Sequence, residues 1–167
     1  SHFSQNLIKE SLKNTDKRVK NDQSVTPGFL IAAMRWPEVL KRSRGDKEIN
    51  LRKFFRSMDQ ILRNQQTITA IPRKFHSYIK DIWVLQLKLH SRIGKQPYKT
   101  SKHPRFRAAY DFLLIREKAS KCKSNLGDWW TKFQKNNSAS QKQQILNLKE
   151  VDSENSFKKF GFQEELI

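Results

Sequence analysis

Apolar residues recur along most of this chain at the spacing of one side of a helix. The clearest run is "EINLRKFFRSMDQILRN", where Leu51, Phe54, Phe55, Met58, Ile61 and Leu62 fall at i, i+3, i+4, i+7, i+10 and i+11. "TAIPRKF" interrupts that pattern, and Pro72 starts a second helix predicted to reach about Ile93. Phe75, Tyr78, Ile79, Ile82, Leu85, Leu89 and Ile93 gather on one side of it, opposite Arg73, Ser77, Lys80, Lys88, Ser91 and Lys95. Trp83, Val84 and Leu87 widen the apolar surface, which predicts a central helix with Gly94 as its C′ residue.

The flanking segments follow the same rule less strictly. Between Gln5 and about Val19, Leu7, Ile8, Leu12 and Val19 give an uneven apolar face. "VTPGFLIAAMRW" opens with Thr26 as N-cap and Pro27 at the first helical position, where a missing N–H costs nothing. Phe29, Leu30, Ala33 and Met34 follow at core spacing, Pro37 is predicted to end or kink the helix after Trp36, and Val39 and Leu40 continue the apolar side. Further on, Pro104 opens a helix whose inner face is Phe106, Ala109, Tyr110, Leu113 and Leu114, and Trp129, Trp130 and Phe133 mark a short aromatic one. After Gln134 the chain turns polar, and from Glu150 acids outnumber bases. The pattern predicts one all-α domain of about six helices over residues 1–135, followed by a flexible tail over 136–167 with a short helix near Ile145–Leu148.

Charge sharpens this picture. Lys and Arg total 34 against 16 Asp and Glu, a formal +18 in 167 residues. Such a surplus repels itself unless a polyanion binds, and nucleic acid is the commonest one. No apolar run approaches the ~18 residues of a membrane span, and no signal peptide opens the chain, so no membrane partner is expected. A single Cys122 forms no internal disulfide, which fits a reducing, cytoplasmic setting. The opening Ser-His reads as the remnant of a tag, and His2 is given no weight.

The surplus is concentrated. Between Asp81 and Asp111 there is no acid, and from Arg73 to Arg107 the cations are Arg73, Lys74, Lys80, Lys88, Arg92, Lys95, Lys99, Lys102, Arg105 and Arg107. These are the candidate nucleic-acid-binding residues, since Lys and Arg neutralise phosphates with little base selectivity. Tyr98, Phe106 and Trp83 stand close enough in sequence to stack on bases, although Phe106 and Trp83 also fit the core. The helix starts at Pro72 and Pro104, each followed by Arg, add anion-friendly N-termini.

Catalytic patterns are missing by comparison. There is no phosphate-cradling Gly-rich loop followed by Lys, no GxSxG, HExxH or CxxC, and no paired carboxylates on an apolar strand-like background. Asp46–Glu48 and Asp152–Glu154 read as solvated surface, and His76, His90 and His103 as structural or phosphate-adjacent. No catalytic residue, metal ligand or cofactor is therefore assigned to this chain.

Four segments resemble the C-terminal half of the bacterial poly(A) polymerase I family: "NTDKRVKNDQSVTPGFLIAAMRWP", "AIPRKFHSYIKDIWVLQLKLHSRIGKQPYK", "HPRFRAAYDFLLIRE" and "WWTKFQ". The family's run of Ile-Pro, Asp-Ile-Trp, Gln-Leu, Gly-Lys, His-Pro and Arg-x-Ala-Tyr-Asp matches Ile71–Pro72, Asp81–Trp83, Gln86–Leu87, Gly94–Lys95, His103–Pro104 and Arg107–Asp111. The resemblance spans roughly Leu12 to Gln134 and implies kinship with the CCA-adding enzymes. In that plan a nucleotidyltransferase head carries the metal-binding carboxylates, a neck reads the nucleotide and a helical body grips the RNA. This chain then corresponds to the body, its partners being RNA near the 3′ end and the catalytic head of the same polypeptide. Mg²⁺ and ATP belong to that head, so this chain alone is expected to be inactive. One departure stands out: relatives often end in an Arg-rich tail, whereas this sequence ends "VDSENSFKKFGFQEELI". Two other readings remain: a module docking an acidic partner through the exposed part of the Trp129–Phe133 helix, or the body of a CCA-adding tRNA nucleotidyltransferase.

Overall fold

The computed structural model describes residues 2–46, 48–120 and 125–148. Eight helices account for most of them: α1 (His2–Lys20), α2 (Pro27–Arg42), α3 (Leu51–Ile68), α4 (Arg73–Lys88), α5 (Gln96–Ser101), α6 (Phe106–Ala119), α7 (Leu126–Lys135) and α8 (Ser138–Leu146). The two beyond the expected six are α5, inside the basic connection, and α8, inside the segment assigned to the tail. The α8 helix is longer than the turn expected near Ile145–Leu148. It docks on α7 through Gln144 Nε2 to the Trp129 carbonyl (2.7 Å) and Gln141 Nε2 to the Phe133 carbonyl (2.8 Å). Cys122, the Asp152–Glu154 acids and the rest of the tail lie outside the described residues.

Local chemistry explains most boundaries. Asn50 caps α3 by accepting from the Lys53 N–H at 2.9 Å. Thr26 occupies the N-cap of α2 with extended backbone and Pro27 behind it. Its side chain makes no capping bond. Pro37 does not end α2, which runs on to Arg42. An interior proline costs about 3 kcal/mol, but Trp36, Val39 and Leu40 around it are all fully buried. Burying such side chains contributes roughly 1.5–3 kcal/mol each, so packing outweighs the break. The α4 helix stops at Lys88 rather than near Ile93. Leu89 and His90 turn inward, and the Leu89 carbonyl accepts from Trp130 Nε1 at 2.8 Å. Gly94 has positive φ (58°) but sits in the following turn, so it is not the C′ residue of α4. In α1 only Leu7 of the four apolar residues named above is buried, while Ile8, Leu12 and Val19 face outward.

The helices enclose two apolar clusters that share α4 and α6. The larger joins α1, α2 and α3 to Ile79, Ile82, Trp83 and Leu87 of α4 and to Phe112 and Ile115 of α6. The smaller joins Leu85 and Leu89 to Phe106, Ala109, Tyr110 and Leu113, and closes over Leu126, Trp130 and Phe133 of α7. The central position expected for α4 follows from this two-sided burial. Trp83, with no exposed surface, also donates its Nε1–H to the Ala32 carbonyl at 3.0 Å. Trp83→Phe deletes that bond and is expected to destabilise the domain by about 1–3 kcal/mol. Urea unfolding would register this as a lower midpoint with an unchanged slope.

Candidate nucleic-acid interface

The ten candidate cations do not form one uniform strip. Arg73 and Lys74 are exposed on the first turn of α4, with Lys74 Nζ 5.3 Å from the Phe75 ring centre. Lys80 is held by Asp59 of α3 in an ion pair. Lys88 is exposed at the last residue of α4. Arg92 is only 8% exposed and lies 5.2 Å from the Trp129 ring, so it packs the second cluster rather than presenting a charge to solvent.

Lys95, Lys99 and Lys102 are brought together by a feature that the charge run did not reveal. They lie at the N-cap, middle and C-cap of α5, all exposed. Spacings of four and three residues set them on one side of the turn, with about 10 Å of helix rise between the first and the last. The opposite side is anchored: Pro97 and Thr100 are buried, and the Tyr98 ring lies 5.6 Å from Phe133.

Arg105 and Arg107 belong to a different surface. Arg105 lies 5.0 Å from the Tyr78 ring. Arg107 lies 5.4 Å from Tyr110, with its Nε 3.5 Å from Asp111 Oδ1. Together with Arg18 at the end of α1 they line a concavity of about 210 Å³ walled by Phe29, Tyr78 and Asp111. Arg18 is fixed by its Nε donating to the Ser24 carbonyl at 2.8 Å. Burial raises the Asp111 carboxyl above its ordinary value, opposed by Arg107 and then Arg18. Burial likewise raises the Tyr78 phenol. Sequence reasoning missed Arg18 because it sits in the first helix, far along the chain from the others; its basic neighbours in "DKRVK" were the available signal.

The aromatic candidates serve the core. Trp83 is fully buried, Phe106 nearly so, and Tyr98 packs on Phe133. Trp130 and Phe133 are also fully buried, which removes most of the aromatic docking surface considered for α7. The α6 helix begins at Phe106, not Pro104; His103 Nδ1 accepts from the Arg105 N–H at 3.0 Å ahead of it. His76 Nε2 stands 3.1 Å from Gln66 Oε1. Asp46 and Glu48 are exposed. Among the described residues no group of three or more His, Cys, Asp or Glu gathers that would hold a metal, and no helix is long and apolar enough to cross a membrane.

The fold is thus a two-cluster helical domain that displays Lys95, Lys99 and Lys102 on one side of a short outer helix. Residues 46–160 match the model of the family described as polymerase A arginine-rich C-terminus, and the chain belongs to that family. It is 37% identical to Poly(A) polymerase I of Escherichia coli O6:H1 over 153 residues, 88% of this chain and 33% of that protein. Poly(A) polymerase I of Salmonella typhi is 37% identical over 134 residues, 77% of this chain and 29% of that protein. The Haemophilus influenzae enzyme of the same name is 33% identical over 151 residues, 86% of this chain and 33% of that protein. The chain thus spans about a third of the length of these relatives.

His90 takes a structural role, as its basic surroundings suggested. Burial holds its imidazole well below the ordinary 6.5, helped by the Arg116 and then the Arg92 charge. The folded state keeps it neutral while the unfolded chain protonates it, so its contribution is complete above about pH 6.5 and is lost as pH falls below that. The free energy of unfolding is expected to drop between about pH 7 and 5 by up to about 1.4 kcal/mol per unit. His90→Gln should flatten that slope in urea titrations repeated across the range.

Proposed function

We propose that this chain is the RNA-gripping helical body of a poly(A) polymerase, with the lysine face of α5 as its principal contact with the phosphate backbone. The observation that carries this reading is the arrangement of Lys95, Lys99 and Lys102. They share one side of an anchored helix, within an interval that contains no acid from Asp81 to Asp111. Membership of the polymerase A family supports the ligand class. Lys88 at the end of α4 and Arg73 and Lys74 at its start extend the positive field to either side.

Each lysine places a compact, solvated charge near a phosphate and releases the counterion condensed there. Affinity then grows with the number of phosphates neutralised, and base identity matters little. That suits a protein acting on many RNA 3′ ends. In the longer polypeptide, addition of AMP from ATP belongs to a catalytic head that uses Mg²⁺, and the residues described here contribute grip and placement rather than chemistry. The body of a CCA-adding enzyme would grip RNA by the same means, but the named relatives favour poly(A) addition.

Binding of a short single-stranded RNA should weaken steeply with salt. In the triple variant Lys95→Glu, Lys99→Glu, Lys102→Glu, the log–log salt slope should fall by about two, from ~0.7 per phosphate contact on a single strand. The helical circular dichroism should stay unchanged. Fluorescence anisotropy across a salt series checks both, and a triple variant that binds like the parent removes α5 from the interface.

A further inference from the structure

We infer that the concavity between α1, α2 and α6 is a seat for one phosphate group of a ribonucleotide, gripped by Arg18, Arg105 and Arg107. The inference takes its ligand class from the RNA-binding reading but stands on other residues, on a surface that the α5 lysines do not share.

The lining brings three guanidinium groups from two distant parts of the sequence against one carboxylate, Asp111. Their hydrogen-bonding capacity is largely uncommitted among the described residues. Arg18 uses only its Nε, on the Ser24 carbonyl. The Arg105 guanidinium rests on the Tyr78 ring without a hydrogen bond, and Arg107 has one loose 3.5 Å contact with Asp111. A guanidinium offers its donors in a planar fork matched to two oxygens of a phosphate, and three of them surround it from several sides. The ring of Tyr78 lies 5.0 Å from the Arg105 guanidinium, and Phe29 and Ala108 supply apolar wall that strengthens each charge contact.

Size narrows the ligand further. A volume of about 210 Å³ receives a phosphate with part of its sugar, not a run of nucleotides. Asp111, half-buried and beside Arg107, supplies the single carboxylate of the lining. A ribose hydroxyl next to the phosphate is a donor that can meet it. The phosphate has two possible sources, an internal phosphodiester of an RNA strand or the terminal phosphate of a free nucleotide.

The test titrates the chain with a short oligoadenylate, with 5′-AMP and with inorganic phosphate at matched ionic strength, by calorimetry. The proteins are the parent, Arg18→Gln, Arg105→Gln and the α5 triple-lysine variant. Arg18→Gln and Arg105→Gln should each weaken oligoadenylate about tenfold, as expected for losing charge-assisted bonds. Each should also reduce the salt slope by about one. Competition by 5′-AMP in the parent, lost in both variants, assigns the seat to a terminal phosphate. Loss of oligoadenylate affinity without any binding of 5′-AMP assigns it to the strand interior. Parent-like binding by both arginine variants, while the lysine variant fails, overturns the seat and leaves the α5 reading intact. Weakening in Arg18→Gln alone also overturns it, because Arg18 additionally ties down the Ser24 carbonyl whereas Arg105 makes no such bond. Binding of 5′-AMP through both arginines in a chain that ignores oligoadenylate sustains the seat and defeats the RNA-gripping role. No binding of any ligand defeats both.

Discussion

Gln86 stands where the two apolar clusters meet, and the packing of the domain depends on its amide. It has no exposed surface, yet every polar atom it carries is used. Nε2 donates to the carbonyls of Ile82 (3.0 Å) and Ala109 (3.2 Å), and Oε1 accepts from Arg116 Nη1 at 2.7 Å. The Arg116 guanidinium is itself buried and lies 5.0 Å from the Trp36 ring. Buried polar groups are tolerable only when satisfied, and a satisfied network admits one register where an apolar seam would admit several. The node therefore pins α4 to α6 lengthwise and fixes how the α1–α3 cluster sits against the α7 cluster.

With the frame fixed in this way, four of the described acids are held in ion pairs on it. Glu38 pairs with Arg35 and Arg42, Asp59 with Lys80, Glu10 with Lys13, and Asp111 contacts Arg107. Arg35 also reaches Gln65 and Asn64, tying α2 to α3. Exposed pairs of this kind contribute little to stability, but they determine where positive charge is left over. Lys95, Lys99 and Lys102 have no acidic partner among the described residues. Part of the +18 surplus thus stands as three lysines without an acidic partner on a helix whose other side is anchored.

Much of this was legible from periodicity. The α3 face at Phe54, Met58, Ile61 and Leu62, the α4 face from Tyr78 to Leu89 and the Thr26–Pro27 start of α2 follow from residue spacing, because these stripes satisfy local and tertiary demands together. Leu51 and Phe55 of the same α3 pattern, by contrast, are exposed. The failures share a cause. Pro37 interrupts nothing, because burial beyond it exceeds the local penalty. The α4 helix stops early because Trp130, 41 positions further on, claims the Leu89 carbonyl. Arg92 read as a surface cation, but Trp129 draws it inward. Each outcome is decided by a partner remote in sequence, which a window of a few turns does not sample. The site was legible as a set of cations and illegible as a shape: neither the α5 face nor the convergence of Arg18 with Arg105 has a local signature.

The aromatics beside the cations serve the core. Phe106 sits inward as its helix spacing predicts, and Tyr98, a candidate for stacking on bases, packs against the same cluster. A six-residue helix is too short to hold itself together in water, since nucleation costs more than so few hydrogen bonds return. What keeps α5 helical is the burial of Pro97 and Thr100 and the contact of Tyr98 with Phe133, which is in turn packed against Trp129 and Trp130. The lysine spacing that suits a phosphate backbone therefore exists only when the second cluster is complete. The aromatic residues thus shape the lysine face without belonging to it: they set the distance between its charges.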